Sequence, residues 1–308
     1  MNFLSPKKIS TFLGLVFAQF FSLGCHAAQI EVQGHRGSRG TMPENSLPSF
    51  GAAIEAGADV LELDLLVSKD GVIFIHHNFF STPELCVYRD GTPLTESTLI
   101  SNWTLEEIKN LDCGSKQNPQ FPEQRTVPGA EIPTLQELFE WIQNSSLQGA
   151  KTIRLNLELK RDPRHPEYTA EPSAFAKKVV DLVNTMGFSN RVYYSSFDPE
   201  ILGHVRALAP EATIGFIYNR LAVDHMEMQH PGKGLETLLY FISAIRPQVI
   251  SPEHFLLRSA EDVLQLKGRG MRVIPWTVND PARWGELRTM GVDGLITDYP
   301  EQLMEFLK

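Results

Sequence analysis

The chain has 308 residues, of which 42% are hydrophobic and 21% are charged. This composition is typical of a globular protein and excludes wholesale disorder. The length is sufficient for one large α/β domain or two smaller ones. The formal net charge is −9. Proteins that bind nucleic acid usually carry a basic excess or stripe, which this chain lacks, so we expect no nucleic-acid partner.

The first 27 residues have the pattern of a secretory signal peptide. Lys7 and Lys8 precede an apolar stretch, residues 9–21. Cys25-His26-Ala27 has the small-x-small pattern of a cleavage site, with the cut before Ala28. The sequence therefore predicts an exported protein, periplasmic or secreted, whose mature domain spans residues 28–308. No later segment approaches the roughly 18 apolar residues that a membrane helix needs, so we expect no stable span in the mature form.

A lipoprotein is the alternative to a cleaved, unanchored product. Leu23-Gly24-Cys25 is similar to the end of a lipobox, which would lead to lipidation of Cys25. Ser22 occupies the position where a leucine is expected. The cleaved form is therefore the preferred interpretation.

Strand and helix patterns alternate along the rest of the chain. The eight predicted strand–helix pairs are residues 30–34 and 46–56, 60–67 and 134–143, 153–159 and 173–186, 192–196 and 199–208, 213–218 and 235–245, 248–251 and 260–267, 272–278 and 281–289, and 294–297 and 301–307. Eight such pairs over this length predict an α/β fold, the TIM (β/α)₈ barrel. A doubly wound open sheet is the alternative, but no glycine-rich nucleotide fingerprint follows the first strand.

One region interrupts this alternation shortly after the second strand. Residues 79–132 are rich in Pro, Thr, Asn and Gln and contain one short helical pattern, residues 104–110. A long irregular segment in a compact domain is usually a functional insertion, and this one should form a wall at the carboxyl ends of the strands. It contains Cys86 and Cys113, which could form a disulfide in an oxidising compartment.

Acidic residues occur in two strands where a buried barrel strand should be apolar. Glu62 and Asp64 alternate with leucines in the second strand, and Glu158 does so in the third. Side chains alternate between the faces of a strand, so the leucines should pack outward and the acids should point into the barrel mouth. Three carboxylates indicate a site for Mg²⁺ or Ca²⁺ rather than zinc. A solvated polar face without a metal is the alternative.

Groups suited to acid–base chemistry and phosphate binding occur near the same strand ends. His35 is a candidate acid or base, and Arg36 offers a planar fork for phosphate oxygens. Of the adjacent pair His76 and His77, only one can face the site. Lys160, just beyond the third strand, is a second candidate cation for phosphate.

Taken in order, these segments resemble the glycerophosphodiester phosphodiesterase family. The matching segments are His35-Arg36-Gly37, Pro43-Glu44-Asn45-Ser46, Glu62-Leu63-Asp64, Asp70-Gly71 ahead of His77, Glu158-Leu159-Lys160, Ser195-Ser196-Phe197, Trp276-Thr277-Val278-Asn279 and Asp293-Gly294-Leu295-Ile296-Thr297-Asp298-Tyr299-Pro300. The resemblance runs from about residue 33 to the C-terminus. It implies a TIM barrel with a small insertion, which agrees with the element order above.

The resemblance also implies roles for individual residues. It implies a divalent ion, Mg²⁺ or Ca²⁺, and a pair of histidines as general acid and base. Arg36 and Lys160 would bind the phosphate, and the accessory positions are Glu44, Asn45 and Trp276. The implied metal ligands are Glu62, Asp64 and Glu158, and the implied catalytic pair is His35 and His77.

The chain departs from the family pattern directly after His77. Asn78 stands where the family commonly has aspartate. A neutral amide would orient the His77 ring without charge and should lower its pKa. His76 also differs from the aliphatic or small residue that is usual there, and it could take over the role of His77.

The function implied is metal-dependent hydrolysis of glycerophosphodiesters, such as glycerophosphocholine or glycerophosphoethanolamine, to glycerol 3-phosphate and an alcohol. One alternative is a lipid phosphodiesterase of the phospholipase D or sphingomyelinase D type, which would need a hydrophobic groove for acyl chains. The polarity of residues 79–132 favours the soluble substrate. A second alternative is a non-catalytic phosphodiester-binding barrel, for which Asn78 is the only support.

Overall fold

A computed structural model of the chain describes Met1 and residues 30–308. The predicted signal peptide, including Cys25, lies outside the described residues apart from Met1. Within the described part, the strands are β1 (Glu31–Gly34), β2 (Val60–Val67), β3 (Ile73–Ile75), β4 (Val87–Tyr88), β5 (Leu111–Asp112), β6 (Arg154–Leu159), β7 (Val192–Ser196), β8 (Ile214–Tyr218), β9 (Val249–Pro252), β10 (Arg272–Val273) and β11 (Gly294–Thr297). The α-helices are α1 (Leu47–Glu55), α2 (Leu105–Lys109), α3 (Leu135–Asn144), α4 (Pro172–Thr185), α5 (Pro199–Leu208), α6 (Arg220–Gln229), α7 (Gly234–Phe241), α8 (Ala260–Lys267), α9 (Pro281–Met290) and α10 (Pro300–Phe306).

Eight parallel strands form the predicted TIM barrel. Their order is β10-β9-β8-β7-β6-β2-β1-β11. Hydrogen bonds between β11 and the chain at and after β10 close the ring. The backbone N–H of Asp293 donates to Val273 O at 2.9 Å, and that of Ile296 donates to Pro275 O at 3.1 Å. Strand β10 covers only Arg272–Val273, whereas the predicted strand was 272–278. Regular pairing stops early because Pro275 has no backbone N–H to donate.

Local sequence signals determine where the outer helices begin. The Thr134 hydroxyl accepts from the Glu137 backbone N–H while the Glu137 side chain accepts from the Thr134 backbone N–H, which forms a capping box at the start of α3. Asp198 and Asp280 are simple N-caps of α5 and α9, where their side chains accept from the backbone N–H groups of Glu200 and Ala282, and each is followed by a proline in the first turn.

The strands separate two apolar layers, as the alternation predicts. The outward leucines of β2 and β6, such as Leu63 and Leu157, are fully buried in the main core between the sheet and the helices. A smaller cluster fills the barrel interior, with Tyr193 and Ile274 among its members. The polar residues of the same strands therefore lie on the inner face, towards the barrel axis.

Helix α6 has no counterpart in the sequence-based prediction. None of its residues is fully buried, but Ala222, Val223 and Met226 pack, partly buried, against the main core and form a short apolar stripe that the prediction missed. The following prediction, residues 235–245, corresponds to α7 and a 3₁₀ turn over Ile242–Ile245. In the described part of the chain, no helix combines the length and the hydropathy that a membrane crossing requires.

The segment predicted as an insertion has its own small core. Strand β3 folds back antiparallel onto β2, and β4 pairs with β5. The predicted helix 104–110 is observed as α2, with a capping box at Thr104. A separate apolar cluster, which includes Phe74, Ile100 and Ile108, packs against Leu66 near the end of β2. Cys86 and Cys113 form a disulfide within it.

Removing this disulfide should destabilise the protein by about 3 kcal/mol, because the open chain regains the entropy of a loop of roughly 28 residues. The variant is the double replacement Cys86→Ser with Cys113→Ser, which leaves no unpaired thiol. Urea denaturation of the two proteins under non-reducing conditions measures the difference. Equal unfolding midpoints would show that the crosslink contributes nothing to stability.

Candidate active site

Three carboxylates meet at the carboxyl ends of β2 and β6. The strands are neighbours in the barrel, in a register that pairs Asp64 with Glu158 and Glu62 with Asn156. Because their inward side chains alternate in the same phase, the acids of both strands project to one place. Glu62, Asp64 and Glu158 are all buried, and one oxygen from each lies within 4.8 Å of the others. This cluster, called the acidic triad below, could hold a metal ion.

The electrostatics of the acidic triad fit a cation. Burial raises the pKa of Glu62 well above the usual carboxyl range, and the nearby charges of Asp64 and Glu158 raise it further. Burial also raises the pKa of Glu158. Hard oxygen donors are the ligands that Mg²⁺ and Ca²⁺ prefer. A divalent ion among them would offset the repulsion that these pKa shifts express.

Two cationic side chains border the acidic triad. Lys160 Nζ lies 2.9 Å from Glu158 Oε1 and 3.5 Å from Asp64 Oδ1. Arg36 Nε lies 3.4 Å from Asp64 Oδ2. Burial alone would raise the pKa of Asp64, but His77, these two cations and the hydrogen bond from Asn45 outweigh it and hold that pKa below its usual value. Asp64 is therefore ionised at neutral pH even without a metal.

A tight turn after β1 places Arg36 over this cluster. Arg36 has a left-handed backbone conformation (φ 50°), and its N–H donates to Glu62 Oε2 at 2.9 Å. A Cβ at Gly34 would lie 2.3 Å from Gly37 O, so the turn requires glycine at position 34. The glycines that flank His35 and Arg36 thus allow one turn to direct both side chains into the site.

The predicted accessory residues Glu44 and Asn45 support this turn. Glu44 Oε1 accepts from Arg36 Nη1 at 2.8 Å, while Asn45 Nδ2 donates to Asp64 Oδ2 at 2.9 Å. Burial would raise the pKa of Glu44, but Arg36 and Arg39 lower it to about 2. Both residues therefore hold groups of the site rather than lining its cavity.

His35 is paired with a carboxylate. Its Nδ1 lies 2.6 Å from Asp298 Oδ1, and its Nε2 lies 3.9 Å from Glu62 Oε2. Asn279 Nδ2 donates to the other oxygen of Asp298 at 2.7 Å. Burial lowers the pKa of His35, while Asp298 opposes that shift by favouring the imidazolium. Nε2 is thus the ring nitrogen directed towards the acidic triad.

The structure distinguishes between the two adjacent histidines. His77 lines the cavity, and its Nδ1 lies 2.7 Å from Asn78 Oδ1. Burial, with Lys160 beside it, lowers the pKa of His77 to about 3. His76 lies behind the site, where its Nε2 is 3.4 Å from Thr82 Oγ1. The hypothesis that His76 replaces His77 has no support from this geometry.

The predicted residues converge on one cavity of about 280 Å³ at the barrel mouth. Polar and charged groups line one part, and Phe197 and Trp276 line another, with their rings in a T-shaped contact at 5.4 Å. The predicted site residues that line this cavity are His35, Arg36, Glu62, His77, Glu158, Lys160 and Trp276. The site therefore offers an acidic triad, two histidines and cationic groups to a small molecule.

Two residues of this site were given no role in the sequence analysis. Asp298 pairs with His35, and Arg39 lines the cavity. Asp298 directly follows β11, so its place at the carboxyl end of a strand was the signal available. Arg39 lies in a loop beyond the turn, and no strand pattern points to it.

Comparison with known proteins agrees with this geometry. Residues 35–302 match the Glycerophosphoryl diester phosphodiesterase family. The chain is 30% identical over 275 residues to a glycerophosphodiester phosphodiesterase of Caldanaerobacter subterraneus subsp. tengcongensis, an alignment that covers 89% of this chain and 96% of the relative.

Solved structures show the same likeness. One from Silicibacter pomeroyi DSS-3, which carries the same family description, matches with a TM-score of 0.81 and 30% identity over 92% of this chain and 94% of its own. A phosphodiesterase of Oleispira antarctica, solved in complex with the product sn-glycerol-3-phosphate, matches with a TM-score of 0.69 and 26% identity. The match covers 90% of this chain and 96% of the Oleispira antarctica chain. The chain is therefore an enzyme that belongs to the glycerophosphoryl diester phosphodiesterase family.

Proposed function

We propose that the chain hydrolyses small glycerophosphodiesters, such as glycerophosphocholine, to glycerol 3-phosphate and an alcohol with the aid of a divalent cation. The observation that carries this proposal is the convergence of two histidines, the acidic triad and two cationic side chains on one cavity. The Oleispira antarctica relative, whose product is glycerol 3-phosphate, supports the choice of substrate class.

Glu62, Asp64 and Glu158 would hold the cation, Mg²⁺ or Ca²⁺. When bound, such an ion supplies positive charge that lowers the pKa of a substrate hydroxyl and stabilises negative charge on the phosphoryl group. Arg36 and Lys160, which both line the cavity, would bind the phosphate oxygens.

His77 is suited to the role of general base. Its pKa of about 3 keeps the ring neutral at physiological pH. Asn78 Oδ1 accepts the hydrogen of Nδ1, so the lone pair resides on Nε2. We assign the Nε2 atom of His77 the removal of a proton from a glycerol hydroxyl.

His35 is suited to the role of general acid. Asp298 stabilises its imidazolium, so His35 holds a proton more readily than His77 does. Removal of the hydroxyl proton by His77 lets that oxygen attack phosphorus, and the bond from phosphorus to the departing alcohol breaks. His35 transfers its proton to that alcohol. Water then opens the resulting cyclic glycerol phosphate, with the two histidines in exchanged roles.

We propose that the protein is exported. The signal-peptide pattern of residues 1–27 would direct the chain to the periplasm or the medium, with a lipidated Cys25 as the less favoured form. The disulfide between Cys86 and Cys113 supports an oxidising compartment, because such bonds rarely persist in the cytosol.

Replacing Asn78 with aspartate should make the enzyme more sensitive to acid. A carboxylate beside His77 favours its imidazolium and should raise its pKa by about 1–2 units. A base acts only when neutral, so the acidic limb of the kcat/KM profile should move to higher pH by the same amount. Asn78→Ser, which adds no charge, is the control. An unmoved acidic limb in Asn78→Asp would contradict the assignment of His77 as the base.

A substrate panel tests the proposed function against the lipid alternative. The protein is incubated with glycerophosphocholine, lysophosphatidylcholine and sphingomyelin in the presence of Mg²⁺ or Ca²⁺, and products are identified by mass spectrometry. We expect glycerol 3-phosphate and choline from the first substrate at the highest rate. Turnover confined to the two lipids would replace the proposal with a lipid phosphodiesterase, and turnover of none would leave a binding protein.

A further inference from the structure

Arg39 occupies a place in the site that the proposed mechanism does not use. Its side chain is only 16% exposed, and it lines the cavity with His35 and Arg36. Arg39 Nε donates to Glu44 Oε2 at 2.7 Å, while Glu44 Oε1 accepts from Arg36 Nη1 at 2.8 Å. One carboxylate thus holds two guanidinium groups together at the cavity wall.

The Nη1 atom of Arg39 lies near the carboxylate that pairs with His35. Arg39 Nη1 lies 3.9 Å from Asp298 Oδ1, the oxygen that pairs with His35. This separation is too long for a hydrogen bond. Among residues 30–308, Nη1 has no hydrogen-bond partner, whereas Nε and Nη2 each have one, so the N–H groups of Nη1 are available to an anion beside His35.

Residues of the segment 79–132 contact the guanidinium face, the Nη2 atom and the backbone oxygen of Arg39. The Phe121 ring centre lies 4.8 Å from the guanidinium carbon, and Gln120 Oε1 accepts from Arg39 Nη2 at 2.9 Å. Gln124 Nε2 donates to the Arg39 backbone oxygen at 2.7 Å. Three residues from one short stretch of this segment therefore determine where a single arginine points.

The opposite side of the same loop is fixed by the strand end that carries Asp298. The Gly40 N–H donates to Asp298 O at 2.8 Å, and a Cβ at Gly40 would lie 2.2 Å from the Tyr299 ring. The Arg39 loop thus packs against both Tyr299 and Phe121. The centres of these two rings lie 6.2 Å apart in a T-shaped contact.

We propose that Arg39 is a second phosphate-binding guanidinium, that it binds phosphoryl oxygens on the His35 side of the substrate, and that Phe121 and Gln120 position it. The inference rests on the proposed hydrolysis of phosphodiesters. Arginine presents a planar fork of donors to phosphate, and a preorganised donor is most effective where charge develops in the transition state. Charge develops at the oxygen that leaves, which is the one that His35 protonates.

The experiment compares Arg39→Ala and Arg39→Lys with a matched control, Arg125→Ala, which removes an exposed arginine from the segment that contacts Arg39. We expect Arg39→Ala to lower kcat/KM for glycerophosphocholine by about 10- to 100-fold, with weaker binding of glycerol 3-phosphate in calorimetry. Arg39→Lys should recover part of both, because it keeps the charge without the fork. Arg125→Ala should match the wild type.

Calorimetry separates this inference from the proposed function. Wild-type protein that binds glycerol 3-phosphate but turns over no phosphodiester would contradict the proposed function, and loss of that binding in Arg39→Ala would still support Arg39 as a phosphate ligand. Unchanged kcat/KM and unchanged affinity for glycerol 3-phosphate in Arg39→Ala would overturn the inference.

The positioning role of Phe121 has its own test. Phe121→Leu keeps an apolar side chain but removes the ring face beneath the guanidinium, and Phe121→Tyr keeps that face. We expect Phe121→Leu to raise KM and the Kd for glycerol 3-phosphate by about 3- to 10-fold. Phe121→Tyr should restore both values. A lower melting temperature in Phe121→Leu with wild-type KM and Kd would overturn the role of this segment.

Discussion

Replacing Glu62 with glutamine should reduce turnover of glycerophosphocholine by at least about 10³-fold while the protein stays folded. The amide keeps the shape of the side chain and its contact with the Arg36 backbone but removes one of three carboxylates that would hold the cation. Glu55→Gln, an exposed change on α1, is the matched control for turnover. Turnover equal to that of wild type in Glu62→Gln would contradict the acidic triad as the metal site.

The same replacement should change how the cation-free protein responds to pH. The folded-state pKa of Glu62 is raised, so the stability associated with its protonated form is lost as the pH rises through that pKa. Glu62→Gln cannot ionise, so this loss should disappear. In EDTA, the melting temperature should fall less between mildly acidic and neutral pH for Glu62→Gln than for wild type. An equal fall in melting temperature would show that the carboxylates of the triad do not repel one another in this way.

Replacing the two histidines should give losses that differ with the leaving group. On glycerophosphocholine, His35→Ala and His77→Ala should each lose about 10²- to 10⁴-fold in kcat, because each removes a proton transfer. On the p-nitrophenyl ester of glycerol 3-phosphate, the departing nitrophenolate needs no proton in the first step. His35→Ala should therefore recover most of the initial rate of nitrophenolate release from this ester, whereas His77→Ala should not.

The neighbouring His76 supplies the control for this experiment. It lies behind the cavity against Thr82, so His76→Ala should leave turnover of both substrates close to that of wild type. Recovery on the ester by His77→Ala instead of His35→Ala would reverse the two assignments. Loss in His76→Ala with none in His77→Ala would show that His76 is the acting residue.

Strand alternation was sufficient to predict the acidic triad from the sequence. Glu62 and Asp64 share a face of β2 because their positions differ by two, and Glu158 shares the corresponding face of β6. Their convergence then requires only that β2 and β6 be neighbours, which the order of strand–helix units implies. The barrel itself follows from the same repeated pattern.

Other parts of the site depend on contacts that alternation does not encode. The pairing of His35 with Asp298 joins residues 263 positions apart and exists only because the last strand closes the barrel against the first. The choice between His76 and His77 depends on Thr82, in the segment whose path has no periodic signal. Helix α6 was not predicted because its apolar stripe is short, with Ala222, Val223 and Met226 only partly buried.

The most direct test of the account is release of glycerol 3-phosphate from glycerophosphocholine by the wild-type protein, before and after treatment with EDTA and again after Mg²⁺ or Ca²⁺ is added back. We expect release to stop with the chelator and to return with at least one of these ions, and the ion that restores it identifies the metal. Release that continues unchanged in EDTA would contradict a catalytic role for a cation held by Glu62, Asp64 and Glu158.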